Sequence, residues 1–313
     1  MRVLVTRRMT PRVAAVLSQE FGAELRDDPA PLSLQEARAA LAGYDAILPT
    51  LGDDFRAEAF AGAPRARLLA NFGVGFNHID VAAARAAGIA VTNTPGAVTD
   101  ATADIALTLI LMSARRAAEG ERLVRAGNWG GWQPTQMLGQ QVSGKRVGIV
   151  GMGRIGKAVA RRCHFGFGME VVFHNRSEVA APGCPARQVP LAEAMAADFV
   201  VIAVPGGPAT RHLIGAAELA RMAPHAHLIN VARGDIVDEA ALIATLKAGR
   251  IAGAGLDVYE REPQVPAALR ALGNVTLLPH LGTAVEEVRD AMGMMAVENL
   301  RAFRDGRDLP NPV

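Results

Sequence analysis

The stretch "VGIVGMGRIGKAVA", Val147 to Ala160, constrains this chain more than any other. An apolar run that reads as a strand leads straight into Gly151, Gly153 and Gly156, spaced G-x-G-x-x-G, and a helical pattern follows. Each glycine has its own physical job in that context. Gly151 makes the tight turn, Gly153 lets the backbone approach a pyrophosphate, and Gly156 permits close helix–strand packing. The start of the helix then offers unpaired N–H groups and a favourable dipole to the anion, with Arg154 and Ile155 nearest the phosphates. An ordinary strand–turn–helix could carry three glycines too. The strand before them and the helix after them favour dinucleotide binding.

Similar grammar runs through the rest of the chain. "RVLVT", "DAILPT", "RLLAN" and "IAVTN" read as buried strands before residue 100. "PRVAAVLSQEFG" reads as a helix with Pro11 at its first position and Gly22 past its end. Asp80 is placed to cap "VAAARAA", with Gly88 as its stop. From Val98 to Ala126 the pattern is helical with no breaker before Gly127, and "GNWGGWQPTQ" then reads as a linker or an exposed arm. Six further apolar runs follow: "RVGIV", "EVVFH", "FVVIAV", "HLINVA", "AGAGLDV" and "VTLLP". They are apolar on both faces, as strands sandwiched between helices must be. Alternating strand and helix predicts an α/β fold with parallel sheets, and the second series suits a doubly wound nucleotide-binding sheet. The C-terminal "TAVEEVRDAMGMMAVENLRAFRDG" predicts a long amphipathic helix.

Composition narrows the partners. A net charge of +2 over 313 residues leaves no electrostatic footprint for nucleic acid or a membrane surface. The longest apolar helical run, "IALTLILM", falls far short of the roughly 20 residues that span a bilayer. The apolar run at the start is too short for a signal peptide. Cys163 and Cys184 do not form a disulfide framework, which fits a cytoplasmic setting. Cys163 beside His164 reads as packing, and the alternating His225 and His227 read as surface residues; no metal site is expected.

Ligands of open α/β sheets gather at the carboxyl ends of the strands. Three charged features fall at such ends: Arg233 in "LINVARGD", Asp257 with Glu262 in "GAGLDVYEREP", and His280 in "TLLPHLGT". Singly, each has a plain explanation as a solvated or structural residue. Together they supply an anion anchor, a proton donor and a carboxylate to orient that donor, the equipment for a charged substrate with a reducible carbonyl.

The chain also resembles the D-isomer-specific 2-hydroxyacid dehydrogenases. The matching pieces, in order, are "NFGVGFNHID", "VTNTPGAVTDATADIALTLIL", "GKRVGIVGMGRIGKAVARR", "NVARGDIVDEAAL", "GAGLDVYEREP" and "PHLGTA". "GWQPTQMLGQQVSGK" looks like the glyoxylate/hydroxypyruvate reductase branch. The resemblance implies two doubly wound parallel-sheet domains, Rossmann- and flavodoxin-like, with an active-site cleft between them. It places a substrate-binding domain at 1–94 plus 283–313 and a nucleotide-binding domain at 95–282. It implies a catalytic set of Arg233, Glu262 and His280. Arg233 would grip the carboxylate of a 2-oxo acid, and His280, paired with Glu262, would protonate the carbonyl oxygen as hydride arrives. Backbone N–H groups near Val74 and Gly75 would meet the same carboxylate. Leu51 and Trp132 would wall a small side chain, which favours glyoxylate or hydroxypyruvate. Trp132 would either reach a neighbouring subunit of a homodimer or anchor its own linker. Thr102, Val204, Pro205, Val231, Ala232, Asp257, His280 and Gly282 would line the nicotinamide cofactor. Asn77 stands where the family often has Asp.

Other readings stay open beside this one: phosphoglycerate dehydrogenase, or a nucleotide-sensing corepressor on the same fold. A formate dehydrogenase needs no proton donor, and Glu262 speaks against it.

The loop "VVFHNRSE" bears on which cofactor is used. Asn175 lies 19 residues beyond Gly156, where an acidic residue would bind the ribose 2′-hydroxyl of NAD and repel the 2′-phosphate of NADP. Asn175 removes that repulsion, while Arg176 and Ser177 can bond a phosphate. Arg176 could equally lie in solvent or stack on adenine. The expectation is NADPH in preference to NADH, with NADH possible.

Overall fold

The computed structural model describes residues 1–313, which form two compact units. One comprises Met1–Val98 with Ala284–Val313, the other Thr99–Thr283.

The first unit is built on a five-stranded parallel sheet. Its strands are β1 (Val3–Val5), β2 (Glu24–Leu25), β3 (Ala46–Leu48), β4 (Leu68–Ala70) and β5 (Ala90–Thr92), in the order β2-β1-β3-β4-β5. That order is the flavodoxin-like one. Helices α1 (Pro11–Phe21), α2 (Leu34–Gly43) and α3 (Val81–Ala86) connect the strands, and the C-terminal helix (Glu286–Arg304) packs back on the same unit. Gly22 ends α1 in the left-handed conformation, and the Asp80 carboxylate accepts the Ala83 amide at the start of α3. Alternation along the strands feeds two cores. Leu4, Ile47, Leu69 and Val91 face one, and Val3, Val5, Ala46, Leu48, Leu68 and Ala70 face the other with Val297 and Leu300.

The second unit carries seven parallel strands: β6 (Arg146–Val150), β7 (Glu170–His174), β8 (Arg187–Gln188), β9 (Phe199–Ile202), β10 (His227–Asn230), β11 (Gly253–Leu256) and β12 (Val275–Leu277). Their order is β12-β11-β10-β9-β6-β7-β8, the Rossmann arrangement with one further strand, and the order reverses between β6 and β9. The unpredicted strands are β2 of the first unit and β8 here, each of two residues and too short to register as an apolar run. On β9, Val200 and Ile202 enter one core while Phe199 and Val201 enter the other, so the strand is apolar throughout. Helices α4 (Thr99–Ala114), α5 (Ala117–Arg125), α6 (Arg154–Arg161), α7 (Leu191–Ala194), α8 (Ala216–Leu219), α9 (Glu239–Lys247) and α10 (Ala267–Arg270) complete the unit.

The continuous helix expected from Val98 to Ala126 is in fact two. Arg116 sits at φ 54°, in the left-handed region, between α4 and α5. The Ala114 carbonyl accepts the Gln140 amide at 2.8 Å instead of continuing the helical ladder. A segment 26 residues further along therefore stops the helix, and no local breaker signals it. No helix is long and apolar enough to cross a membrane.

Candidate active site

All strands of the seven-stranded sheet run parallel, so their carboxyl ends share one edge. Gly151 follows β6, Asn175 follows β7, Val204 and Pro205 follow β9, Val231 to Arg233 follow β10, Asp257 follows β11, and His280 lies just past β12.

The phosphate turn has the geometry its sequence implies. Gly151 is at φ 103°, and a Cβ there would stand 2.7 Å from the Val204 amide nitrogen. A Cβ on Gly156 would lie 2.0 Å from the Gly151 carbonyl oxygen, so the helix can approach the turn this closely only as glycine. At Gly153 the opposite holds: a Cβ would meet nothing within 4 Å. This open space lies at the start of α6, whose first amides have no side-chain cap. A crowded turn, an open face and uncapped amides fit a dinucleotide pyrophosphate, and Gly151, Gly153, Arg154, Ile155 and Gly156 are the residues that would hold it.

The loop after β7 is held from within. Asn175 Oδ1 accepts the Met152 amide at 3.2 Å, and Asn175 Nδ2 donates to the Ser177 carbonyl at 2.9 Å and to Ser177 Oγ at 3.3 Å. Gln188 of β8 donates to the carbonyls of Asn175 and Ser177 and accepts the Val179 amide. Gln188 went unnoticed in the sequence because its strand did. Arg176, exposed, has no hydrogen bond or ion pair from the chain. The loop thus presents one free guanidinium from a fixed backbone.

The three charged features come together in this unit. His280 Nδ1 and Glu262 Oε2 are 2.8 Å apart, and the other Glu262 oxygen accepts the Tyr259 amide at 3.0 Å. Burial pushes the Glu262 carboxyl up, but the bond from His280, the charges of His280 and Arg233, and the Tyr259 amide outweigh it and hold Glu262 below its ordinary value. His280 has φ 55°, unusual for a residue with a side chain, and its neighbours enforce it. The His280 amide donates to the Asp257 carbonyl at 2.9 Å, and the amides of Leu281 and Gly282 donate to the two Asp257 carboxylate oxygens at 2.7 and 2.8 Å. Asp257 therefore ties down the His280 loop through its backbone carbonyl and both carboxylate oxygens. Burial raises its carboxyl, with those two amides pulling the other way. Thr102 is similarly engaged, donating from Oγ1 to the Gly282 carbonyl at 3.1 Å.

Arg233 is held by neighbours the sequence reading passed over. The Asn230 side chain donates to the Arg233 carbonyl at 2.9 Å and accepts the Ala232 amide at 3.0 Å. A Cβ on Gly234 would fall 1.8 Å from the Tyr259 carbonyl carbon, so the arginine loop rests directly on the segment that leads to Glu262. The guanidinium bonds the Ala232 carbonyl through one nitrogen at 2.7 Å, while its buried Nε has no partner. Burial lowers the Arg233 pKa, and the charges of Glu262 and Asp235 pull it back. A guanidinium remains charged regardless, so a half-buried one with a buried, unpaired Nε calls for an anion.

Other expected residues lie elsewhere. Leu51, Val74 and Gly75 belong to the other unit, where Leu51 is exposed and Val74 and Gly75 follow β4. Trp132 is 80% exposed and does not anchor its own linker. Cys163 is buried, as packing requires, and burial pushes its thiol up to about 12. His227 corrects its expectation: it is buried, 2.7 Å from Ser113 Oγ through Nδ1 and stacked on Phe199. Only His225 lies at the surface, paired with Asp198. A cavity of about 500 Å³ beside His227, lined also by Arg116, Leu138, Gln140 and Asn274, contains none of the catalytic set.

Comparison with known proteins bears on the family. Residues 107–282 match the model of the D-isomer specific 2-hydroxyacid dehydrogenase NAD binding domain. The glyoxylate reductase of Korarchaeum cryptofilum is 44% identical over 317 residues, spanning 100% of this chain and 95% of the relative. The chain belongs to the D-isomer-specific 2-hydroxyacid dehydrogenase family. Within this family, the glyoxylate reductase of Thermococcus gammatolerans is 42% identical across 100% of this chain and 95% of its own. An NADPH-dependent glyoxylate/hydroxypyruvate reductase from Sinorhizobium meliloti, solved with NADP and malonate, superposes with a TM-score of 0.87 at 36% identity, covering 100% of this chain and 96% of that one. Family membership agrees with the parallel α/β architecture and makes a nicotinamide cofactor the group its phosphate turn receives.

Proposed function

We propose that this dehydrogenase reduces a small 2-oxo acid, glyoxylate or hydroxypyruvate, to the 2-hydroxy acid, the D isomer where the product is chiral. The observation that carries the reading is the His280–Glu262 pair in the same unit as a half-buried Arg233 whose Nε is buried without a partner. Relatives named as glyoxylate reductases support the substrate class.

When bound, the reduced nicotinamide supplies a hydride to the carbonyl carbon. Arg233 binds the substrate carboxylate through its planar donors and polarises the carbonyl. The amides of Val74 and Gly75 are assigned to a substrate carboxylate. Glu262 holds His280 by Nδ1, which leaves Nε2 to deliver a proton to the carbonyl oxygen as the negative charge develops there. His280 ends the step neutral and recovers its proton from solvent. Asp257 and Thr102 fix the loop that carries His280 and Gly282.

The preference for NADPH belongs to the same proposal. Asn175 offers no carboxylate to repel a 2′-phosphate, and Arg176 has no carboxylate partner to neutralise it. The named activity of the Sinorhizobium meliloti reductase points the same way. We further assign a homodimer in the cytoplasm. Val124, Trp129, Trp132 and Leu138 expose apolar surface along one stretch of the nucleotide unit, as an interface does.

The test is a panel of glyoxylate, hydroxypyruvate, pyruvate and phenylpyruvate, each with NADPH and with NADH. The two small polar acids should turn over fastest, with NADPH. Failure of every 2-oxo acid to oxidise either cofactor defeats the enzyme reading, and a preference for phenylpyruvate defeats the substrate assignment.

A further inference from the structure

The loop Gly73–Phe76, beyond the end of β4, has an unusual internal economy of hydrogen bonds. Its carbonyls are all occupied. Asn71 Nδ2 donates to the carbonyls of Gly73 and Gly75, at 3.0 and 3.1 Å. The Thr94 amide also donates to the Gly73 carbonyl, Asn93 Nδ2 donates to the Val74 carbonyl at 2.9 Å, and the Ile79 amide donates to the Phe76 carbonyl. The amides of Val74, Gly75 and Phe76, in contrast, donate to no group of the chain. Successive peptide groups with carbonyls turned inward and N–H groups left over make a concavity suited to an anion.

Asn71 is the central member of this arrangement. It is 1% exposed, and its Oδ1 is buried without a partner. The orientation of its amide is settled chemically, because an oxygen in the Nδ2 position would face two carbonyl oxygens. The fold thus leaves an acceptor unsatisfied and keeps both donors on Gly73 and Gly75. Aspartate has the same shape but would set a negative charge against those carbonyls, and an aliphatic residue would release the Gly75 carbonyl and leave that of Gly73 on the Thr94 amide alone. The freed Gly75 carbonyl could rotate outward and present a negative dipole where the amides now stand.

We propose that Asn71 is a positioning residue for the carboxylate of the 2-oxo acid, acting through the backbone amides of Val74 and Gly75, which it never replaces as a ligand. The assignment rests on the substrate class proposed above. Asn71 and the groups it bonds lie in one unit and the phosphate turn in the other, so the cofactor constant serves as the control.

The test compares wild type with Asn71→Asp, Asn71→Leu and Asn71→Ser, all as full chains. Steady-state rates with glyoxylate and NADPH give the two Michaelis constants and kcat, and calorimetry with oxalate, run with NADPH present, gives carboxylate binding without turnover. Asn71→Asp and Asn71→Leu should raise the KM for glyoxylate and weaken oxalate about 10- to 100-fold, as expected when hydrogen bonds to a charged group are lost. The KM for NADPH should stay within about twofold, and Asn71→Ser, which keeps one donor, should lie between. An unchanged glyoxylate KM, or glyoxylate and NADPH constants rising together, overturns the proposal. If wild type reduces no 2-oxo acid, the functional reading fails separately. Asn71 is then judged by oxalate: weaker binding in Asn71→Asp than in wild type sustains it, and equal or absent binding ends it. Should Asn71→Asp unfold, the ordering of wild type and Asn71→Ser decides.

Discussion

Replacing His227 with Gln should flatten the acid side of the stability profile. In the folded chain the ring is buried between Phe199 and Ser113, and burial, aided by the charge of His225, lowers its pKa from 6.5 to about 4. Above pH 6.5 the ring is neutral in both folded and unfolded chains, so its protonation does not affect stability. As pH falls from 6.5 towards 4, the unfolded chain takes up a proton that the folded one refuses, and stability drops by about 1.4 kcal/mol per unit. The loss is about 2 kcal/mol by pH 5 and about 3 kcal/mol by pH 4, beyond which both states are protonated. Glutamine can bond Ser113 but does not titrate. Denaturant unfolding at pH 7.5 and pH 5 should therefore show wild type losing about 2 kcal/mol more than His227→Gln. Groups such as Glu239 and Asp257, which burial raises, are present in both proteins and cancel in the difference. A histidine titration by NMR should also find one ring silent down to about pH 4. Parallel pH dependence in the two proteins would refute the burial argument.

Three further outcomes follow from the site. Glu262→Gln keeps the shape but removes the charge facing His280 Nδ1, and kcat with glyoxylate should fall by roughly 10²- to 10⁴-fold while NADPH affinity holds; a loss under threefold would remove Glu262 from the mechanism. Arg176→Asp combined with Asn175→Asp should raise the KM for NADPH at least ~10-fold more than that for NADH, since a carboxylate repels the 2′-phosphate and accepts from a ribose hydroxyl. Equal changes in the two constants would show that the loop does not select. Gly156→Ala forces a methyl group to 2.0 Å from the Gly151 carbonyl, so α6 must move. Stability should fall by about 1–3 kcal/mol, and NADPH binding by fluorescence titration should weaken with it; an unchanged melting temperature and affinity would contradict the packing.

Much of the nucleotide unit was legible because its signals are local. Strand, glycine turn and helix occupy one short stretch from Val147 to Ala160, and two of its glycines answer to local demands: Gly151 takes the positive φ of the turn, and Gly156 lies against the Gly151 carbonyl five residues back. Pro11, Gly22 and Asp80 mark helix ends for the same reason, since a cap acts on its own first or last turn. The proposed catalytic trio was partly legible: strand-end positions pointed to Arg233, Glu262 and His280, and the family resemblance supplied the roles proposed for them.

What remained hidden depends on partners far apart in the chain. His227 looked like a surface residue beside His225, but Ser113, 114 positions earlier, and Phe199 enclose it. Gln140 ends α4 from beyond the linker, Gln188 ties down the loop at Asn175 from a strand of two residues, and Gly234 is a glycine because Tyr259 presses on it. Asn71 reads as an ordinary polar residue after a strand until its amide is seen holding two carbonyls. By itself the sequence determined the alternation of the longer apolar strands with helices, the phosphate turn and the types of residue at the strand ends. Tertiary structure alone decided which polar groups are buried and what they bond, because burial and hydrogen-bond satisfaction belong to a whole packed unit and not to any one of its segments.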